Sequence, residues 1–167
     1  MISNLLFDFI VDKAHKTIRI TREFDAGLQL VWQAWTTAEL LDQWWGPQPW
    51  RAETKTMDFR VGGFWLYAMV SPEGEKHWSR SDFVAIAAEK SFAWKGGFSD
   101  ENGVFNLALP QNLWENTFTP VDHKVRVDML LTYDSLADLE QEIEMGFREG
   151  ITIDFQQLDQ LLSNHKK

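Results

Sequence analysis

Residues 16–24 alternate, with Ile18, Ile20 and Phe24 on one side and Thr17, Arg19, Thr21 and Glu23 on the other. Period two in β-branched and aromatic residues is the mark of a half-buried strand. Residues 5–11 are a second run of extended formers, and residues 12–15 between the two read as a turn. A β-hairpin therefore opens the chain. After Asp25, Ala26 and Gly27 the period changes, because Leu28, Val31, Trp32 and Trp35 fall at i, i+3, i+4 and i+7. That spacing predicts a short helix. A second helix follows at once: Thr36 with Glu39 forms a capping-box pattern, and Leu40, Leu41, Trp44 and Trp45 supply its apolar side. Gly46 and Pro47 end it, the glycine by permitting a left-handed cap and the proline by lacking a donor.

From residue 50 onward the pattern is strand and turn. Residues 50–57 and 64–70 flank the turn Val61-Gly62-Gly63, and Pro72, Glu73 and Gly74 lead into a strand over 78–86. Residues 91–98 form the next strand. A polar, glycine-bearing stretch over 99–111 follows, of a length that marks a lid or a disordered loop. Residues 112–119 and 124–133 make the last hairpin, in which Val125, Val127, Met129, Leu131 and Tyr133 alternate with polar neighbours. Residues 135–162 then return to helical spacing through Leu139, Ile143, Phe147, Ile151, Leu158 and Leu162, predicting one long closing helix. Gly146 and Gly150 interrupt its apolar stripe; a glycine inside a helix costs about 1 kcal/mol relative to alanine, so both need a packing reason or a void to face. An antiparallel sheet followed by one amphipathic helix buries its dry face against that helix. The expectation is an α+β fold of helix-grip architecture: a curved antiparallel sheet around a C-terminal helix, with two short helices after the first strands.

Composition adds limits. A chain of 167 residues is one domain, and no linker or internal repeat divides it. Nine tryptophans and twelve phenylalanines are an unusual aromatic volume, which either fills a thick core or lines a cavity. A net charge of −9 repels phosphate backbones and anionic bilayers, so neither nucleic acid nor membrane is an expected partner. The short helix pair therefore does not read as a DNA-binding helix-turn-helix. The absence of cysteine removes disulfides, thiolate nucleophiles and cysteine-based zinc sites. With no signal-peptide pattern at the N-terminus and no apolar run of membrane length, the sequence reads as a soluble, cytoplasmic protein.

Candidate chemistry is sparse. His15, His77, His123 and His165 are scattered over turns and the C-terminal tail, without the close spacing of a metal site. No nucleophile elbow, Walker loop or dinucleotide fingerprint occurs, and no cofactor is expected. Asp58, Asp82, Glu115 and Asp128 are carboxylates of interest, but Glu115 and Asp128 fall on wet strand faces and Asp58 reads as an ion pair with Arg60. No catalytic residue is assigned. What remains is a cavity. Trp65, Tyr67 and Met69 share one strand face, as do Trp94 with Phe98, Trp114 with Phe118, and Met129 with Leu131. If these faces look inward, they surround the helix that carries Ile143, Phe147, Gly150 and Ile151, and these thirteen residues are the candidate ligand-binding set. The alternative, that the same side chains fill a packed core, stays open.

The stretches Val31-Trp32-Gln33-Ala34-Trp35-Thr36, LLDQWWGP from Leu40 and MDFRVGGFW from Met57 resemble the START-like group related to the C-terminal domain of the activator of Hsp90 ATPase. The Gly146-x-x-x-Gly150 helix with its trailing leucines is similar to the family's closing helix, and the likeness runs from about residue 17 to 162. Residues 1–15 are an addition before that core. The family's closing pattern has methionine after the first glycine and tryptophan after the second; this chain has Phe147 and Ile151. The resemblance implies a small hydrophobic ligand held between sheet and helix. It also implies two alternatives: an Hsp90 co-chaperone module active in stress response, or an enzyme of cyclase or hydratase type, for which Tyr67, Arg80, Asp82 and Asp128 are the suggestions. The eukaryotic activator binds the chaperone through a further N-terminal domain without counterpart in these residues, which weakens the expectation of Hsp90 as partner. The apolar row Phe64, Leu66, Ala68 and Val70 opposite Trp65 and Tyr67 is expected to lie beneath the N-terminal hairpin or in a homodimer interface.

Overall fold

The computed structural model of the chain describes residues 5–165; the ends of the expected 167-residue domain, 1–4 and 166–167, lie outside the described residues. The alternating runs become strands β1 (Phe7–Asp12), β2 (Thr17–Phe24), β3 (Arg51–Met57), β4 (Phe64–Val70), β5 (Lys76–Ala87), β6 (Ser91–Ser99), β7 (Gln111–Val121) and β8 (Lys124–Tyr133). They form one eight-stranded sheet in the order β1-β2-β8-β7-β6-β5-β4-β3. Strands β3 to β8 are a meander in chain order, and the opening hairpin joins it by pairing β2 antiparallel with β8. The register shifts between Thr54 and Thr56 and between Phe83 and Ala85 are bulges, which bend and twist the strands that carry them. The sheet is curved and unclosed, and helices fill its concave side.

Helices α1 (Leu28–Thr36) and α2 (Ala38–Trp44) follow the opening hairpin as the apolar spacing predicts. The expected capping box is not formed. Thr37, not Thr36, is the N-cap of α2, and neither threonine caps with its side chain: Thr36 Oγ1 donates to Trp32 O and Thr37 Oγ1 to Gln33 O. With one residue between two helices, both hydroxyls are drawn back onto the carbonyls that end α1.

The closing helix is two helices, α3 (Leu136–Glu144) and α4 (Phe147–His165). Ser135 caps α3 by accepting from the Asp138 amide at 3.0 Å. The break falls at Gly146, whose φ of +90° lies in the left-handed region that a glycine enters without strain. Its amide donates to Ile143 O, ending α3, while its own carbonyl accepts from Gly150 N and begins α4. Helical spacing persists across the break, so the sequence reads as continuous.

Two groups of contacts hold α4 in place. Phe155 is fully buried against Phe7, Phe24 and Trp35. Arg22, on the dry face of β2 and only 7% exposed, donates to both carboxylate oxygens of Asp159 at 3.1 and 2.6 Å, its guanidinium 5.0 Å from the Phe24 ring centroid. A bidentate arginine paired in this way satisfies a charge that burial would otherwise penalise.

The outer apolar row of β4 is not covered by the N-terminal hairpin, which lies at the opposite edge of the sheet. Leu66, Ala68 and Val70 are buried. Their side of the sheet carries Trp78 and Arg80, the residues registered with Ala68 and Leu66. The stretch 99–111 folds onto this face and is neither lid nor disordered loop: Arg80 donates to Gly103 O and lies over Phe105, Lys55 donates to Glu101 O, and Asp100 accepts from the amides of Asn102 and Val104. Polar turn chemistry orders it from within.

The two glycines are therefore opposite cases. A Cβ on Gly150 would meet only Pro47 Cγ, at 3.6 Å, an ordinary contact in a helical backbone. Gly150→Ala is expected to raise stability by roughly 0.5–1 kcal/mol in urea unfolding, whereas Gly146→Ala, forced into the left-handed region, is expected to lower it by about 1–2 kcal/mol.

Candidate functional site

The loop after α2 reaches the closing helix and holds it. Trp45 has its side chain among Trp35, Trp44, Trp65, Trp94 and Trp114, with centroids 5.3–6.3 Å away. Its Nε1 donates to the Tyr67 hydroxyl at 3.0 Å. Gly46, at φ +118°, turns the chain so closely past β3 that a Cβ would stand 2.8 Å from the Ala52 amide. The exposed loop backbone is then taken up by α4. Gly46 N donates to Asp154 Oδ1 at 3.1 Å, Gln157 Nε2 donates to the carbonyls of Trp44 and Gly46, and Gln48 N donates to Gln157 Oε1. Two residues one helical turn apart thus satisfy four loop groups that would otherwise need water.

Between this loop, the sheet and the two closing helices lies a cavity of about 220 Å³ that opens partly to solvent. Its sheet wall is Tyr67 and Met69 of β4, Ser79 and Ser81 of β5, Trp94 and Phe98 of β6, and Trp114 of β7. Trp94 and Trp114 are stacked 5.2 Å apart, and Phe147 meets Trp114 edge-on. Gly96 and Gly97 open the wall between Trp94 and Phe98; Pro110 and Asn112 border it beyond β6. Trp45 and Pro47 close one side, and Glu142, Phe147, Gly150, Ile151 and Asp154 the helical side. Arg80 borders the cavity from β5, but its guanidinium lies on the outer face against Phe64, paired with Asp82 at 2.8 Å.

Two acids stand in this apolar setting. Asp154 is 4% exposed, and burial pushes its carboxyl up to about 8 against the opposing hydrogen bond from Gly46. Glu142 is raised as well, by burial first, while hydrogen bonds from Tyr133 and Asn112 work against the shift. The Tyr133 hydroxyl and Asn112 Nδ2 both donate to Glu142 Oε1. Burial, with Glu142 beside it, lifts the Tyr133 phenol, and burial lifts Tyr67 to about 12, so both stay protonated at neutral pH. Among the described residues no group of three or more histidine, cysteine or carboxylate side chains is placed to hold a metal.

Of the thirteen residues that the sequence offers as a ligand site, Tyr67, Met69, Trp94, Phe98, Trp114, Phe147, Gly150 and Ile151 line the cavity. Trp65, Phe118, Met129, Leu131 and Ile143 do not. Trp65 stacks on Tyr67 and donates to Thr54, filling space behind the wall. Phe118 packs with Trp32, Trp35 and Phe92 beneath α1. Met129 and Leu131 are buried on β8 within the core, and Ile143 packs against that core. Of the suggested enzyme groups, Asp82 pairs with Arg80 on the outer face and Asp128 bonds Thr21 and Arg126; only Tyr67 presents its side chain to the cavity. Trp45, Asn112, Glu142 and Asp154 escape the sequence reading. The signal was present for the two acids: Glu142 lies three residues after Leu139, and Asp154 three after Ile151, on the apolar stripe itself.

A curved antiparallel sheet gripping its closing helices, with an aromatic cavity between, defines a helix-grip protein of the START-like class. The chain belongs to the family described as activator of Hsp90 ATPase homolog 1-like protein, whose model matches residues 25–163. The protein Ms6760 from Mycobacterium smegmatis has a crystal structure similar to this one, at 34% identity and a TM-score of 0.86, covering 95% of this chain and 96% of that one. A solution structure from Arthrobacter aurescens is 30% identical with a TM-score of 0.88, covering 94% and 91%. CalU16 from Micromonospora echinospora, at 14% identity and a TM-score of 0.61 over 98% and 87%, shares the fold. No curated protein matches the chain. No helix among the described residues is long and apolar enough to cross a membrane.

Asp154 gives the cavity a measurable effect on stability. Its folded pKa of about 8 stands above the 3.8 of a free carboxyl, so between these values the folded chain holds a proton that the unfolded chain has lost. Its contribution is complete below pH 3.8 and is lost as pH rises to about 8. Tyr67 and Glu142 face the same cavity. Asp154→Asn keeps an acceptor for the Gly46 amide. In urea titrations it is expected to match the parent near pH 4 and to exceed it at pH 8.5 by on the order of a few kcal/mol; parallel pH profiles would contradict this assignment.

Proposed function

We propose that the protein binds a small, largely apolar molecule in the cavity between β4–β7 and the closing helices, as a binding protein rather than an enzyme. The observation that carries this reading is the cavity itself, a space of about 220 Å³ walled by Tyr67, Trp94, Phe98, Trp114 and Phe147. A void of ~150 Å³ admits benzene, and pockets for drug-sized ligands run from ~300 to 1,000 Å³. The space therefore suits one ring with short substituents. The fold supports the same reading, since the helix-grip arrangement leaves a void wherever the curved sheet and its helix do not meet. A cysteine-free composition supports a cytoplasmic setting for this role.

The family's description names an activator of Hsp90 ATPase. The surface that suggested a protein partner, the outer row of β4, is buried in this chain at Leu66, Ala68 and Val70. Ligand binding is the reading that the geometry favours.

The test is a titration with an alkylbenzene series from toluene to butylbenzene, followed by tryptophan emission. Trp45, Trp94 and Trp114 line the cavity and report its occupancy. Affinity is expected to rise by about 0.8 kcal/mol per methylene until the space is full and then to fall. Emission unchanged to the solubility limit of every member would overturn the proposal.

A further inference from the structure

Asp154 and Glu142 are not needed to hold an apolar ring, and removing a carboxyl from water is costly without a partner. Both line the cavity, one from each closing helix. Each is tied to the protein through one oxygen only: Asp154 Oδ1 accepts from Gly46 N, and Glu142 Oε1 accepts from Tyr133 and Asn112. Among the described residues no hydrogen bond reaches Asp154 Oδ2 or Glu142 Oε2, and no lysine, arginine or histidine pairs with either group. Arg80, the basic residue in the cavity lining, is turned to the outer face and held by Asp82, Phe64 and Phe105. The cavity thus offers aromatic faces and free acceptor oxygens, but no positive charge.

We infer that the ligand is a small aromatic amine, its ring against Trp94 and Trp114 and its nitrogen at the free oxygen of Asp154. The inference rests on the ligand-binding reading above and narrows its chemical class. An ammonium supplies three N–H donors where the protein leaves two acceptor oxygens unmatched. Indole faces attract the same cation. A carboxylate or phosphate ligand would find two acids in the lining and no positive charge turned toward it, and a plain hydrocarbon would leave both oxygens unsatisfied. The proton balance is simple. A neutral amine takes the proton of a carboxyl inside the cavity, and an ammonium from solution displaces that proton into solvent; either way one ammonium–carboxylate pair results. The titratable groups facing the two carboxyls are Tyr67 of β4, Tyr133 of β8 and Asp138 of α3.

The test is calorimetry of the full chain with 2-phenylethylamine and with its hydrocarbon isostere propylbenzene. The amine is expected to bind at least tenfold more tightly, and at pH 6.5, in two buffers of different ionisation enthalpy, to release about one proton per molecule bound. Asp154→Asn and Glu142→Gln retain the acceptors for Gly46, Tyr133 and Asn112. Asp154→Asn is expected to erase most of the amine preference, read as the ratio of amine to propylbenzene affinity, and Glu142→Gln to reduce that ratio by less. Propylbenzene binding as tightly as the amine, or an amine preference that survives Asp154→Asn, overturns the amine inference and leaves the cavity reading standing. Failure of both probes to bind the parent chain overturns both.

Discussion

The structure depends on the docking of the loop over residues 44–48 onto α4. A curved sheet with one dry face is stable only when that face is covered, and here the cover is attached at two places. At the β2 side, Arg22 grips Asp159 and Phe155 fills the space among Phe7, Phe24 and Trp35. At the other side, Asp154 and Gln157 bind the backbone of Trp44, Gly46 and Gln48. The two attachments lie on one nineteen-residue helix, so its axis is fixed relative to the sheet. The cavity is the space that remains in front of β4–β7, beyond the reach of Phe155.

The same docking explains why a carboxyl occupies a dry place. Asp154 has one oxygen committed to the Gly46 amide, a bond that positions the loop and with it Trp45. The other oxygen is left facing the cavity. Glu142 repeats the arrangement from α3, with Tyr133 and Asn112 as its fixed donors. Each acid is therefore both a strut and a presented group. A hydrophobic residue in either place would lose the strut, which is a physical reason for polar side chains on an apolar stripe.

Much of the fold was legible because alternation and helical spacing report which face is dry. Ile18, Ile20 and Phe24, the β8 row from Val125 to Tyr133, and the α1–α2 pair were placed by period alone. What period cannot report is phase across a break. Gly146 interrupts the helix while Ile143, Phe147 and Ile151 keep helical spacing, so one helix was expected where two exist. The site was half legible for a related reason. Period two shows that Trp65, Phe118, Met129 and Leu131 face inward, but whether an inward side chain meets a void or a neighbour depends on where the helices lie. Phe118 is covered because Trp32 and Trp35 of α1 reach it, whereas Trp114 on the same strand is not filled over. The polar lining lies outside the carboxylates that the strand pattern singles out, Asp58, Asp82, Glu115 and Asp128, because Glu142 and Asp154 sit on the closing helices, within the apolar stripe they interrupt.

The split of the closing segment has a consequence for how the cavity is entered. Helix α4 has six buried residues and two attachments, while α3 is nine residues long, with Leu139 as its buried side chain. Free energies of local opening follow buried contact, so α3 is the low end of that scale and α4 the high end. A glycine joint between them lets one turn away without unwinding the other. The chain therefore carries a small cooperative unit of its own beside the cavity, and Glu142 rides on it while Asp154 stays with the rigid frame. Opening of the cavity on this side then breaks the contacts of Leu139 and Ile143, the Lys13–Glu140 ion pair and the hydrogen bonds of Glu142 to Tyr133 and Asn112, and leaves the frame of α4 and the sheet in place.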